Sequence, residues 1–283
     1  MEHHNGIPLR LLGSTGISVT ILGIGGFHIG KGDPALGVRI IRTAIDEGIN
    51  FMDNAWCYNQ GESERIMGQA LRNGYRDKVF LMTKNHGRDA STFRSQLEES
   101  LRRLGSSHID LLQFHEIIHE GLPQQIFSQG AAEEALKARE EGKIRYIGFT
   151  GHRWPHLFAE MLAQDYPWDT VQMPINLLDA HYRSFAKQIL PLCQERGIGV
   201  IGMKSLAGGR LLETGVRAQD AICYTLSQPI HTLVSGIDSL EVLARNLEIA
   251  RNWTPMPQEE QQRLLAQVAH AAADGHLEHY KTA

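Results

Sequence analysis

Three apolar runs in the sequence each close on a titratable side chain: INFM at Asp53, VFLMT at Lys84 and IDLLQF at His115. A phenol stands shortly after the first, at Tyr58 in FMDNAWCYNQGESERIMG, Phe51 to Gly68. A carboxylate ending a buried strand is costly unless a charged or hydrogen-bonding group meets it. Singly, each residue has an ordinary explanation. A lysine after a strand stands in solvent, a histidine is bonded structurally, Asp-Asn before a turn is punctuation, and a loop aromatic lids the core. Taken together they define a chemistry. A tyrosine is a poor acid near neutrality, with a pKa of about 10, and a nearby ammonium stabilises its phenolate. Lys84 would supply that ammonium, and Asp53 would hold it protonated and fixed. His115 would orient a carbonyl or help pass the proton, making Tyr58 a general acid for carbonyl reduction or a base for the reverse. No side chain of this set delivers hydride, so a cofactor must, and a nicotinamide is the simplest.

Such a set converges only if the strands do. Runs of strand character are expected at Ile21 to Gly25, Asn50 to Asp53, Val79 to Lys84, Ile109 to His115, Ile144 to Thr150, Thr170 to Pro174, Gly199 to Lys204 and Thr232 to Gly236. Between them lie segments of helical period, among them ALGVRIIRTAIDEG, DASTFRSQLEESLRRLG, AAEEALKAREEG and FAKQILPLCQERG, several closing on glycine. Eight alternations imply a parallel sheet with helical crossovers and favour closure into a (β/α)8 TIM barrel, whose chemistry sits at the C-terminal strand ends. A hairpin turning at Gly13-Ser14-Thr15-Gly16 precedes the barrel. DSLEVLARNLEIARNW reads as the last barrel helix, with Asp238 and Glu241 at capping-box spacing, and PQEEQQRLLAQVAHAAADG as an extra C-terminal helix. GIGGFHIGKG is glycine-rich but lacks the acidic residue that completes a Rossmann fingerprint. No linker divides the 283 residues, so one α/β barrel domain over 1–283 is expected.

Composition narrows the partners. Hydrophobic residues make up 42% and charged residues 21%, which supplies a full core. The net charge of -4, without a Lys/Arg patch, gives no footprint for nucleic acid. No apolar run is long enough to cross a bilayer, and MEHHNGIPLRLLGSTGISVT does not read as a signal peptide. Cys57, Cys193 and Cys223 lie far apart without CxxC or Cys/His spacing, which fits a reducing cytosol and leads to the expectation of no metal and a packing role for Cys57.

With FMDNAWCYNQGESERIMGQAL, FLMTKNHG, HIDLLQFHE, KIRYIGFTGH, VQMPINLLD and SGIDSLEVLARNL in this order, the sequence resembles the aldo-keto reductase superfamily across nearly its whole length. The resemblance implies a (β/α)8 barrel binding NADPH, with NADH the second candidate, and a catalytic tetrad matched by Asp53, Tyr58, Lys84 and His115. It also implies a set of cofactor contacts. Gly26 and Phe27 open the first mouth loop. Thr150-Gly151-His152 replaces the family's usual serine-asparagine at the fifth strand end, so Thr150 and His152 are the candidates for the nicotinamide carboxamide together with Gln172. In MKSLAGG, Lys204, Ser205 and Gly208 take the place of the pyrophosphate turn, with Lys204 either a phosphate contact or a solvated loop lysine. Ser235, Gly236 and the start of the following helix suit a phosphate through backbone N–H groups, while Arg245 and Asn246 match the positions that hold the adenosine 2'-phosphate and adenine, with a surface helix arginine the ordinary alternative for Arg245. Asp238, also in this cofactor segment, dilutes the positive field together with Glu241.

The leading expectation is therefore an NADPH-dependent oxidoreductase acting on small aldehydes or ketones. A nicotinamide-binding regulatory or sensor subunit with little turnover is the competing one. A phosphate-binding barrel isomerase or lyase shares the fold but gives no reason for the Asp53, Tyr58, Lys84, His115 set. Phe27, His28, Trp56 and Trp154 are candidates to line an apolar pocket at the mouth or to fill the core.

Overall fold

The structure is a computed structural model and describes residues 2–282. Three short antiparallel strands come first: β1 (His3–His4), β2 (Ile7–Leu11) and β3 (Ser18–Thr20). Eight parallel strands follow: β4 (Leu22–Gly25), β5 (Phe51–Asp53), β6 (Phe80–Asn85), β7 (Ile109–Phe114), β8 (Ile144–Thr150), β9 (Thr170–Pro174), β10 (Gly199–Met203) and β11 (Thr232–Gly236). They pair in chain order, and β11 closes onto β4 to complete the barrel. All eight expected strands are present, with ends shifted by a residue or so. Lys84 lies inside β6, while His115 and Lys204 stand one residue beyond β7 and β10.

Alternation along the strands sorts the side chains. Phe51, Phe80, Met82, Leu111, Ile201 and Val234 form one buried cluster with Leu12 and Val19 of the N-terminal hairpin. The hairpin therefore plugs the N-terminal end of the barrel. Its turn must come very close to the barrel floor: Gly13 has φ +54°, and a Cβ there would run into the backbone of Gly197 and Gly199. Tyr146 fastens the same turn by donating its hydroxyl to Thr15 O at 3.1 Å. The alternate strand residues face outward into a larger core shared with the surrounding helices.

The helices Pro34–Asp46, Ala90–Leu104, Ala131–Glu140, Leu240–Arg251 and Gln258–Ala272 form where the period places them. FAKQILPLCQERG breaks instead into Phe185–Gln188 and Leu190–Glu195. Pro191 explains the break, because its ring and missing N–H cannot continue the helix that precedes it. The capping box expected at Asp238 and Glu241 is also corrected: Ser239 is the N-cap of Leu240–Arg251, its hydroxyl accepting from Val242 N at 3.2 Å, and Asp238 is exposed in the loop before it. The long C-terminal helix Gln258–Ala272 packs through Leu264, Val268 and Ala272 onto Leu177, Leu178, Leu211 and Tyr224 outside the barrel, and a single turn, His279–Thr282, follows it. No helix among the described residues is long and apolar enough to cross a membrane.

Candidate active site

The barrel brings Asp53, Lys84, Tyr58 and His115 together at the C-terminal ends of β5, β6 and β7. The Lys84 ammonium makes direct contact with Asp53 Oδ1, donates to Asn54 O at 2.8 Å, and reaches the Tyr58 hydroxyl at 3.3 Å. Asp53 uses its second oxygen to accept from Gln172 Nε2 at 2.9 Å. Both charges of the pair are buried, with side-chain exposures of 1% for Lys84 and 4% for Asp53. The Tyr58 ring meets the His115 ring edge-on, centroids 5.6 Å apart, and Phe27 from the other side at 5.3 Å.

Burial works to neutralise Lys84, but the Asp53 carboxylate and the Tyr58 phenol outweigh it and hold the ammonium above the ordinary lysine range. The same burial pulls the Asp53 carboxyl upward against the lysine, and the direct contact favours the ionised pair. The phenol behaves differently from the expectation drawn from a neighbouring ammonium. Burial pushes Tyr58 up to about 12, and Lys84 only partly offsets it. Burial and the charge of Lys84 keep His115 well below the usual histidine range, so its imidazole is neutral. In the chain alone the centre therefore holds a protonated phenol, an ammonium, a carboxylate and a neutral imidazole.

The loop carrying Tyr58 is held by contacts that sequence spacing did not disclose. Trp56 Nε1 donates to Glu99 Oε2 at 2.7 Å, and Arg103 donates to Trp56 O at 2.8 Å and to Glu64 at 3.2 Å. Glu64, fully buried, also accepts from Thr83 Oγ1 at 2.7 Å. Asn59, Gln60 and Gly61 have φ of 50°, 57° and 86°, three successive left-handed residues. Asn59 is fastened there by its amide, which donates to Phe27 O at 2.8 Å and to Ser63 Oγ at 2.9 Å. Such backbone persists only where its surroundings over-determine it.

The residues assigned to a cofactor fall in two groups. Ser235, Gly236, Arg245 and Asn246 line a groove of about 730 Å³ between the end of β11 and the helix Leu240–Arg251, with Leu206, Leu212 and Trp253 on its other walls. Asn246 donates to Ser235 Oγ at 3.0 Å, Gly236 is exposed, and Arg245 reaches solvent along the rim. Thr150, the last residue of β8, and Gln172, in the middle of β9, pair side by side, both buried. Gln172 Oε1 is buried without a hydrogen-bond partner. An acceptor left in that state at a barrel mouth fits an amide donor, as a nicotinamide carboxamide offers.

Other members of the set are placed differently. His152 is not free to replace an amide side chain: its Nδ1 lies 2.9 Å from Tyr280 O and its Nε2 3.9 Å from Glu116. Lys204 is no solvated loop lysine, since its ammonium lies 4.7 Å above the Tyr280 ring and burial lowers its pKa. Gly208 has φ 70° with open space at its Cα, and Ser205 is buried. Gly26 is required by packing, because a Cβ there would lie 2.8 Å from Asp53 O and Asn54 Cγ. Phe27 is exposed beside Tyr58, with the Lys31 ammonium 4.2 Å from its ring. Trp154 stands just before the helix Pro155–Ala163, its ring under the Arg183 guanidinium at 3.6 Å.

Sequence reasoning missed two constellations. The first is the C-terminal segment, in which Lys281 is fully buried against Asp179 at 2.7 Å and Glu278 at 2.9 Å, while Tyr280 hydroxyl meets Asn176 Nδ2 at 3.0 Å. The second is a Cys57, His86, His115 cluster. Cys57 Sγ lies 3.5 Å from His115 Nδ1 and 4.0 Å from His86 Nε2, and burial pushes the thiol up to about 11.

An eight-stranded parallel barrel with a buried ammonium-carboxylate pair beneath a tyrosine at its mouth defines a class of oxidoreductase-like sites. Comparison with known proteins sharpens it. Residues 21–271 match the model of the Aldo/keto reductase family, and the chain belongs to that family. It is similar to L-galactose dehydrogenase of Arabidopsis thaliana, 33% identical over 224 residues that cover 74% of this chain and 68% of that protein. It is also similar to the aldo-keto reductase AFTS1 of Alternaria alternata, 31% identical over 250 residues covering 71% of this chain. The chain spans 66% of that relative's length and 65% of a second Alternaria reductase, just under two thirds of each. Among solved structures, an aldo-keto reductase of Bacillus halodurans in its holo form superposes with a TM-score of 0.80 at 26% identity, covering 92% of this chain and 96% of that one. An aldo/keto reductase of Klebsiella pneumoniae, solved with NADP and acetate, shares the fold with a TM-score of 0.76 at 23% identity, covering 92% and 95%.

Proposed function

We propose that this chain is an NADPH-dependent reductase of small aldehydes and ketones, with Asp53, Tyr58, Lys84 and His115 as its catalytic residues. The observation that carries the reading is the buried Lys84 ammonium shared between Asp53 and the Tyr58 hydroxyl at 3.3 Å. The bound nicotinamide would supply hydride to the carbonyl carbon. Tyr58 gives its proton to the carbonyl oxygen, and the phenolate left behind is stabilised by Lys84, which Asp53 keeps charged and in place. His115, neutral, orients the carbonyl oxygen from the opposite side of the phenol. Gln172 would hold the carboxamide through its unpaired Oε1, with Thr150 beside it, and Arg245, Asn246, Ser235 and Gly236 would hold the adenosine 2'-phosphate end in the groove beside β11. The NADP in the Klebsiella structure and the dehydrogenase name of the Arabidopsis relative are in line with this assignment. The described chain works, in this reading, as one barrel unit, and its three free cysteines suit the cytosol.

The test is a titration with NADPH and NADH followed by tryptophan quenching, for which Trp253 in the groove is a built-in reporter, then a panel of carbonyls in wild type and Tyr58→Phe. The variant should keep its NADPH affinity and lose about 10²- to 10⁴-fold in kcat/KM, the usual range for a lost general acid. Binding without Tyr58-dependent oxidation would move the assignment to a nicotinamide-sensing subunit. Absence of nucleotide binding would overturn it.

A further inference from the structure

Cys57, His86 and His115 come from the loop after β5 and from the residues just past β6 and β7, with the cysteine 29 and 58 positions from its two partners. That separation is why motif spacing spoke against a metal. In space their ligand atoms all lie within 4.8 Å of one another, with Cys57 and His86 half-buried and His115 buried. Tetrahedral zinc, at about 2.3 Å to sulfur and about 2.0–2.1 Å to nitrogen, sets its S···N edges at about 3.6 Å and its N···N edge at about 3.4 Å. Cys57 Sγ already stands 3.5 Å from His115 Nδ1 and 4.0 Å from His86 Nε2.

We propose that Cys57, His86 and His115 form a binding site for a borderline-soft divalent cation, Zn²⁺ foremost, and that its occupation switches the centre off. The donor set suits this metal: one thiolate and two imidazoles with a fourth position left for water. Imidazole ligates in its neutral form, and both rings already present a nitrogen beside the thiol. On binding, the thiol proton leaves to solvent as the metal-sulfur bond forms. The resulting net charge is +1, and the Glu116 carboxylate, 3.3 Å from His86 Nε2, stands ready to compensate it.

The inhibitory effect follows from ring geometry. The His86 and His115 rings now stack with centroids 4.5 Å apart and planes 19° from parallel. Lone pairs lie in the ring planes, so both rings must tilt toward each other to share one ion. Tilting carries His115 out of its 74° edge-on contact with Tyr58, and the carbonyl-orienting group is displaced. This second half rests on the reductase reading; the site itself does not.

The experiment is a Co²⁺ titration of the metal-free protein, followed by the thiolate-to-cobalt charge-transfer absorption and by displacement with Zn²⁺. Wild type is compared with Cys57→Ser, His86→Gln and, as a control for the Glu120, His156, Glu160 cluster at the surface, His156→Gln. Wild type and His156→Gln should show the thiolate band at one equivalent. Cys57→Ser should lose it, and His86→Gln should bind about tenfold or more weakly. Carbonyl reduction by wild type should fall with Zn²⁺ and return with chelator, while both ligand variants keep their turnover at a Zn²⁺ level that halves that of wild type. A missing thiolate band, or equal affinity in His86→Gln, would overturn the site. Stoichiometric binding with unchanged turnover would overturn the switch. If no carbonyl is reduced at all, the cobalt spectrum still decides the site, and it is the reductase assignment that fails.

Discussion

Replacing Asp53 by asparagine isolates the electrostatic core of the site. The substitution keeps the shape and a hydrogen-bond acceptor for Gln172 and removes the charge opposite an ammonium whose side chain is 1% exposed. Breaking a buried pair at one end costs about 3–5 kcal/mol, because the surviving charge is left uncompensated. Unfolding entropy of about 2.1 cal/mol/K per residue over 283 residues gives about 0.6 kcal/mol/K, so Tm should drop by about 5–8 °C at neutral pH. The pH dependence identifies the cause. In wild type, Asp53 and Tyr58 raise Lys84 above the ordinary lysine value of about 10.4, so its stabilisation is fully present below that value and is lost as pH climbs through the higher folded one. In Asp53→Asn, burial dominates and depresses Lys84, so the penalty is greatest near neutrality and fades as pH rises toward about 10.4. Adding Lys84→Met removes the charge that had to be buried, and the double variant should recover much of the loss. Thermal unfolding of both variants between about pH 7 and 10 measures this difference while other titrations cancel. A double variant no more stable than Asp53→Asn, or a gap that does not shrink with pH, would refute the buried-ammonium account.

Two further outcomes probe the cofactor groove and the protonation states. Arg245→Leu should weaken NADPH by about 10- to 100-fold, as loss of a charge-assisted hydrogen bond does, and leave NADH nearly unchanged; equal weakening of both in quenching titrations would remove Arg245 from the 2'-phosphate. Because His115 stays neutral and Tyr58 titrates only at about 12, kcat/KM for reduction should be flat across neutral pH, and an inflection near about 6.5 that disappears in His115→Asn would contradict the neutral imidazole.

The barrel and the convergence of Asp53, Lys84 and His115 were legible because their signals are local, whereas Tyr58, in a loop, was not located by periodicity. Each strand is an apolar run with its own punctuation, and INFM, VFLMT and IDLLQF each end on a side chain that a barrel mouth must receive. What local reading could not supply was the balance between burial and charge at Tyr58, since that depends on how deeply the phenol sits. Nor could it supply the partners of His152, whose ring nitrogens are engaged by a residue 128 positions away and by Glu116.

The C-terminal segment marks where the argument applied to Asp53 had a second use. PINLLD also ends an apolar run on an aspartate, and Asp179 is fully buried. Backbone and hydroxyl donors from Ser184, Phe185 and Ala186 satisfy part of its demand, but a buried carboxylate among apolar neighbours still calls for a cation. Its cation is Lys281, 102 positions on, in a polar segment with no hydrophobic period to betray burial. That one ion pair fixes the neighbouring residue as well: Tyr280 is held with its carbonyl on His152, its hydroxyl on Asn176 and its ring beneath the Lys204 ammonium. His152 and Lys204, two of the side chains that the resemblance assigns to the cofactor, are therefore positioned by a tail clamped by the Asp179 charge. The departure at Thr150-Gly151-His152 and the burial of Lys281 are thus structurally linked: the histidine anchors the tail, and in the proposed reading Gln172, whose Oε1 is unpaired, would be the residue to receive the carboxamide.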